Sequence, residues 1–489
     1  MQRNDQNLAT GIAFPLVVDL DGTLTPSNTL LEAICLLVKQ SPTKLARALG
    51  CLTKGRAAFK DYVVANTSFS AAKLPYRENL LEYLRKEKGK GRQLVLATAS
   101  HRTVADLVSE HLGIFDDVIA TSSTNLKGRR KLEAIRSKLG EDFVYAGDSS
   151  ADLPVWEAAK GAVLVGASTA TTKIVGRTTP LEAQFPQASF GLKRWAIALR
   201  LHQWLKNLLI FVPLLTSFSF FDSEKIIISL LAFFSFSFAA SATYLVNDLW
   251  DLQTDRAHPR KRLRPLALAE ISIVSALTVA GVLIALALLL AFVISTPFLT
   301  IIGSYLLITT SYSWFLKRYV ILDVMVLSVL YTLRILAGAA AIMVTTSTWL
   351  LAFSVFIFLS LALVKRCAEL VSIEQSGGKA TSGRNYRVGD LVVLWPLGVG
   401  AAMSAVVIFG LFISAPETVA RYQSPLLLWL VALGLVYWLS RLWIKTARGE
   451  MEDDPVIYAL MDRSSQVVVV SMIAAILGAY LISWEAFYG

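Results

Sequence analysis

Cysteine is scarce in this 489-residue chain: Cys35, Cys51 and Cys367 stand far apart and no two form a CxxC pair. Neither a disulfide framework nor a thiolate zinc site is expected, and the three read as buried apolar residues. Charge is thin as well. Asp, Glu, Lys and Arg make up 17% of the chain, 55% is hydrophobic and mean hydropathy is +0.55, whereas charged residues are about a quarter of an ordinary globular domain. That balance excludes a wholly soluble protein. The N-terminal MQRNDQNLATG lacks the uninterrupted apolar core of a signal peptide and leads into the short run FPLVVDL. No internal repeat of the kind that inverted-repeat transporters carry is visible.

What is present falls into two halves. Residues 1–190 mix charged and apolar residues, and the β-rich runs FPLVVDL, QLVLATAS, FVYAGD and AVLVG alternate with helical patterns such as RTVADLVSEHLG. Strands alternating with helices predict a parallel α/β domain. Residues 191–489 predict an all-α membrane bundle of nine transmembrane helices, near 207–221, 226–247, 271–294, 297–315, 320–344, 348–365, 391–414, 425–443 and 466–484. The net charge of +11 is unevenly placed: sixteen Lys and Arg fall in the loops after the even-numbered spans, and only Lys225 and Arg421 in the alternate loops. Basic loops stay in the cytoplasm, so the N-terminal domain is expected on that side.

The stretch NDLWDLQTDRAHPRKRLRP, Asn247 to Pro265, follows the second span directly. On a continuing helix Asn247, Asp251 and Asp255 recur every four residues and share one face, with Asp248 beside Asp251. Such carboxylates repel unless a cation relieves them, and Mg2+ commonly bridges one or two carboxylates to substrate phosphates. Lys261, Arg262 and Arg264 follow as phosphate partners. The bland alternative is a charge cluster for anionic headgroups, but ionisable groups at a helix mouth are costly and usually functional.

N-D-x-x-D-x-x-x-D at the end of span two of a nine-span chain resembles the UbiA-type intramembrane prenyltransferases. Members that prenylate aromatic rings carry a second DxxxD motif after span six, whereas the loop here reads KRCAELVSIEQSGGKATSGRNYRVGD. That departure, with HPRKRLRP, RLHQWLKNLLIFVPLL, YSWFLKRYVILD and DDPVIYALMDR, is similar to the decaprenyl-phosphate phosphoribosyltransferase branch. The resemblance implies 5-phosphoribosyl 1-diphosphate as donor, a polyprenyl phosphate as acceptor, and Mg2+ held by Asn247, Asp248, Asp251 and Asp255, with Asp251 and Asp255 catalytic. Substrate contacts are expected from Lys206, Lys261, Arg262, Arg264, Lys317, Lys365, Arg366 and Arg387. Asp323 is either a helix N-terminal acid or a ligand of ribose or metal, and Arg334 either a pair inside the bundle or an anion contact. His258 either caps a turn or touches substrate. Glu369, Asp453, Asp454 and Asp462 either pair with basic loops or complete the site.

In the N-terminal half, LVVDLDGTL places Asp19 and Asp21 on one side of a strand end, Thr98 ends QLVLAT, Lys131 opens KLEAIRSKLG, and GDSSAD brings Asp148 and Asp152. In a parallel sheet these strand ends meet in one crevice. The ordered set resembles the haloacid dehalogenase phosphatases. It implies Asp19 as nucleophile, Asp21 as general acid and base, Thr98 and Lys131 (with Ser100 as the alternative hydroxyl) on the phosphoryl oxygens, Mg2+ on Asp19, Asp21, Asp148 and Asp152, and a small cap over about 25–93.

Together the halves predict a two-step enzyme of the bacterial inner membrane. Phosphoribose passes to a lipid phosphate, and the α/β domain then removes the 5-phosphate. Expected partners are the lipid, the sugar donor and the membrane; nucleic acid is not among them, and a homo-oligomer is compatible with this reading. An aromatic prenyltransferase with an accessory phosphatase, and a lipid-binding or transport protein with a tethered phosphatase, are the alternatives.

Overall fold

The computed structural model describes residues 14–122, 125–186, 191–381, 384–451 and 455–482. Asp453 and Asp454 lie outside them. The chain divides into two compact units, Met1–Leu199 with Tyr244–Val279, and Arg200–Thr243 with Ala280–Gly489.

The first unit is built on a six-stranded parallel sheet. Its strands are β1 (Leu16–Val18), β2 (Leu94–His101), β3 (Asp117–Thr121), β4 (Val144–Gly147), β5 (Gly161–Val165) and β6 (Leu181–Phe185), in the order β3-β2-β1-β4-β5-β6. β1 is wholly buried because both of its faces are covered, which explains its unbroken apolar run. Val17 pairs with Val95 on one side and Tyr145 on the other, so the strand order reverses at β1. A crevice therefore opens beyond the carboxyl end of β1, where this topology places ligands. Helices Thr29–Gln40, Pro42–Cys51 and Arg56–Ala65 share a small core of Ala33, Leu37, Ala48, Phe59 and Val63. Helix Glu78–Gly89 sends Leu80, Leu81 and Leu84 into the sheet core with Leu16 and Leu94.

The same unit includes the segment after the first long apolar helix, Ser223–Trp250: a short helix Leu252–Ala257, a 3-10 turn Lys261–Leu263 and the start of helix Ile273–Ile294. This segment is tied to helix Thr29–Gln40 by two basic residues. The Arg256 guanidinium donates twice to the Glu32 carboxylate, at 2.7 Å each, and Lys39 Nζ donates to the Trp250 carbonyl at 2.7 Å, 3.5 Å from Asp251 Oδ1.

The second unit is helical. Across the described residues, seven helices are long and apolar enough to cross a membrane: Ser223–Trp250, Ile273–Ile294, Leu322–Ala341, Thr348–Gln375, Val388–Ser414, Pro425–Ala447 and Arg463–Leu481. The expected count of nine is not reached. Residues 201–216 form a 3-10 helix, Leu201–Phe211, and a short α-helix, Val212–Thr216, instead of one span. Backbone with positive φ at Arg200 and Phe218 bounds that stretch, and Pro213 interrupts it. Helix Thr296–Trp314 exists, but seven Ser and Thr along it dilute its apolar character.

Close packing within this unit rests on glycines at helix contacts, Gly338 among them. A Cβ at Gly338 would come within 2.0 Å of the Ile210 carbonyl oxygen, so the 3-10 segment rests directly on helix Leu322–Ala341. Asp462 caps helix Arg463–Leu481 by accepting from Ser465 N–H at 2.8 Å and forms a two-pronged pair with Arg441. Asp462 thus pairs with a basic side chain, and Arg441 with the Ser465 bonds hold its carboxyl at about 2. Its stabilisation is present above the usual carboxylate range and lost as pH falls through that value. Asp462→Ala should cost about 1–2 kcal/mol through the lost cap and a partly screened pair. A lower Tm for the detergent-solubilised protein, without loss of either activity, would register it.

Candidate functional site

Beyond β1 the chain turns sharply. Gly22 has φ +82°, and a Cβ there would lie 2.3 Å from Asp148 Oδ2, so the DLDGT turn admits only glycine while Asp148 keeps its place. Gly22→Ala should displace that carboxylate and cost about 1–3 kcal/mol, with phosphomonoester hydrolysis falling at least about tenfold. Steady-state rates alongside a melting curve would test both.

Asp19, Asp148 and Asp152 bring one carboxylate oxygen each within 4.8 Å of one another. Three hard oxygen donors at that spacing fit a divalent cation. Lys131 Nζ lies 2.9 Å from Asp19, 3.2 Å from Asp152 and 2.8 Å from the Tyr145 hydroxyl, all buried. Burial pushes Asp19 up to about 7, reinforced by Asp152 and opposed by Lys131. Burial and then Asp152 push Asp148 to about 6. Burial works against the Lys131 charge, yet Asp19 and Asp152 outweigh it and raise its pKa.

Asp21 lies outside that trio. It accepts from Thr29 N–H at 2.9 Å and from the Ser100 hydroxyl at 2.5 Å. Thr98 Oγ1 accepts from Ser100 N–H at 3.0 Å, so Thr98 supports the turn while Ser100 reaches the second aspartate. A chamber of about 450 Å³ adjoins these groups, with the cations Arg56, Lys60 and Lys127 on its wall beside Leu30, Leu52 and Phe59. Sequence reading missed these cations and Tyr145. Tyr145 left one signal, a hydroxyl in the otherwise apolar strand FVYAG; the cations left none.

In the segment after helix Ser223–Trp250, the four-residue register persists: Asp251 N–H donates to the Asn247 carbonyl at 2.9 Å and Asp255 N–H to the Asp251 carbonyl at 2.8 Å. Arg264 bridges two of the expected metal ligands, 3.0 Å from Asp248 and 2.5 Å from Asp255. A residue expected on phosphate is therefore charge partner to both carboxylates. Burial raises the Asp255 pKa, with Asp248 adding and Arg264 opposing. The Asn247 amide and the half-exposed Asp251 carboxylate, one turn apart, are the donor types a hard divalent ion takes. Arg262 is exposed and Lys261 half-buried on the following turn. His258 Nδ1 accepts from Arg260 N–H at 3.2 Å, the turn-capping role.

In the second unit the expected substrate residues form two buried groups. Arg334 donates to Asn207 Oδ1 at 2.9 Å and stacks between Phe236, Tyr305 and Tyr331 at 5.0–5.5 Å. Lys206 lies over the Tyr331 ring at 5.6 Å. Asp323 is fully buried, 2.8 Å from Arg366 Nε and in contact with the Tyr386 hydroxyl, and Arg366 also pairs with Glu369. Lys317 sits in the 3-10 turn Leu316–Arg318, Lys365 on helix Thr348–Gln375, and Arg387 is exposed before helix Leu391–Ser414.

Seven helices among the described residues that can span a bilayer make this an integral membrane protein, and the chain belongs to the UbiA prenyltransferase family, whose profile matches residues 208–466. Residues 16–157 match the haloacid dehalogenase-like hydrolases, so the chain fuses two enzyme types in one integral membrane protein. It is 39% identical over 92% of its length to the uncharacterized protein y4nM of Sinorhizobium fredii, covering 88% of that protein. The nodulation protein NoeC of Azorhizobium caulinodans is 36% identical over 56% of this chain and 89% of its own. The decaprenyl-phosphate phosphoribosyltransferase of Corynebacterium glutamicum is 31% identical over 58% of this chain and 86% of its own.

Proposed function

We propose that the chain transfers 5-phosphoribose from 5-phosphoribosyl 1-diphosphate to a polyprenyl phosphate, and that its N-terminal domain then removes the 5-phosphate. The observation that carries this reading is the Asn247–Asp255 ladder with the Arg264 guanidinium set into it, in a chain related to phosphoribosyltransferases that act on a lipid phosphate.

In the first step the bond from ribose C1 to diphosphate breaks and an oxygen of the lipid phosphate bonds to C1. That oxygen is already anionic, so no general base is needed. Asn247 and Asp251 would hold Mg2+ against the leaving diphosphate, while Lys261, Arg262 and Arg264 bind phosphate oxygens. Arg264 would exchange its carboxylate partners for phosphate as the substrate arrives. Arg334 and Asp323, fixed by neighbours, act as positioning groups.

In the second step Asp19 attacks the 5-phosphoryl group and the bond from phosphorus to ribose O5 breaks, with Asp21 giving its proton to the leaving oxygen. Asp21 then takes a proton from the water that hydrolyses the aspartyl phosphate. Lys131 and Ser100 orient the phosphoryl oxygens and Asp21. Asp19, Asp148 and Asp152 would hold Mg2+, which supplies, when bound, neutralising charge for the phosphoryl group.

The test is incubation of purified protein with donor, polyprenyl phosphate and Mg2+, followed by the mass of the lipid product. A lipid-linked ribose with one phosphate is expected. No lipid product would overturn the transfer, and a product retaining two phosphates after long incubation would overturn the second step. Transfer of the lipid chain to an aromatic ring instead would favour the prenyltransferase alternative.

A further inference from the structure

The phosphatase crevice opens in two directions. Besides the chamber lined by the three cations, a cavity of about 200 Å³ begins at Asp21 and Asp148 and ends on Leu266, Ile271 and Ile273, with Arg256 on its wall. All of these residues belong to the first compact unit. The two chambers share Asp21, Asn28 and Asp148, so these groups lie at their junction, with Asp19 on the side of the larger chamber.

The composition of the two arms differs. A water-soluble sugar phosphate is served by the chamber with Arg56, Lys60 and Lys127. The second arm presents aliphatic side chains, and Ile273 is the first residue of helix Ile273–Ile294, which has mean hydropathy 3.0, the highest of the seven candidate spans, and mostly exposed side chains. The arm therefore runs from phosphoryl chemistry to the head of a long apolar helix with mostly exposed side chains. Its wall is rigid: Arg256 donates to Glu32 twice, to the Ala267 carbonyl at 2.9 Å and to the Lys73 carbonyl at 3.1 Å.

We infer that the phosphatase centre takes a phosphomonoester carried on a membrane lipid, which enters through this arm with its first apolar carbons against Leu266 and Ile271. The inference rests on the phosphatase reading above and adds to it the route of entry and the residues that select lipid-linked over free substrate. It also makes the transferase product the natural substrate, since that product has the phosphomonoester at one end of the sugar and the lipid at the other.

The test uses the full chain in detergent micelles and two substrates made chemically, a short polyprenyl-phosphoryl-ribose 5-phosphate and free ribose 5-phosphate. The wild type should favour the lipid-linked ester by at least about tenfold in kcat/KM. Ile271→Asp should erase that preference, chiefly through KM, and leave free ribose 5-phosphate turnover within about twofold. That retained turnover reports an intact fold, and Leu266→Gln serves as a second variant. Equal kcat/KM for the two esters in the wild type, or an equal loss on both in each variant, would overturn the inference. Because the esters are supplied ready-made, a failure of the transferase reading leaves this result standing; hydrolysis of neither overturns the phosphatase reading along with it.

Discussion

Asp19→Asn protein should make lipid-linked ribose that keeps both phosphates, with transfer at the wild-type rate and phosphomonoester hydrolysis reduced at least about 10³-fold. Loss of a nucleophile admits no partial replacement, because an amide does not attack phosphorus at this site. The stability of the variant separates chemistry from misfolding. Burial pushes the Asp19 carboxyl to about 7 even with Lys131 beside it. A carboxyl that holds its proton more tightly when folded adds stability below its usual 3.8, and that stability is lost as pH rises through about 7. The neutral amide is free of that loss, and Asp152 stays 3.2 Å from Lys131 as its buried counter-ion when the Asp19 charge is gone, so at pH 8 the variant should melt close to the wild type. A drop in Tm together with the activity would instead assign Asp19 a structural role. Mass spectrometry of the lipid product and a melting curve at two pH values decide it.

Asp251→Asn should show the opposite pattern: lipid transfer reduced about 10²–10³-fold, hydrolysis of ribose 5-phosphate unchanged. Asp251 keeps 29% of its side chain exposed and lies 3.5 Å from Lys39, which is equally exposed. Such a pair contributes under about 1 kcal/mol, so its removal leaves the fold intact and any loss of transfer reports on the leaving diphosphate. Retention of full transfer in this variant with divalent ions chelated would remove the basis for the transferase mechanism.

The two sites differ in how much of them the sequence discloses. The phosphatase crevice is legible because Asp19 and Asp148 follow apolar strands, and a parallel sheet gathers strand ends at one place; Asp19 meets Asp148 and Asp152 there from more than a hundred residues away. Edge strands are harder to see. β3, DVIAT, is interrupted by Asp117 and Thr121 at its ends, and β6 is largely exposed, so neither stands out as an apolar run. In the membrane part, spans announce themselves by length and hydropathy. What they conceal is pairing: nothing in the sequence links Asp323 to Arg366 and Tyr386, or Arg264 to Asp248 and Asp255, because such contacts depend on helix rotation. The 3-10 course of Leu201–Phe211 is hidden for a related reason, since a tight backbone against Gly338 has the same composition as a membrane helix.

The clasp between Glu32 and Arg256 bears on any attempt to study the hydrolase apart from its membrane partner. Glu32 is 2% exposed, and its counter-ion comes from a stretch more than two hundred residues downstream. A fragment ending before residue 200 would leave that carboxylate without its guanidinium partner, and breaking a buried pair in this way typically costs about 3–5 kcal/mol. Excised fragments should consequently be aggregation-prone and lax in selectivity, and Glu32→Gln is the substitution that should rescue their solubility.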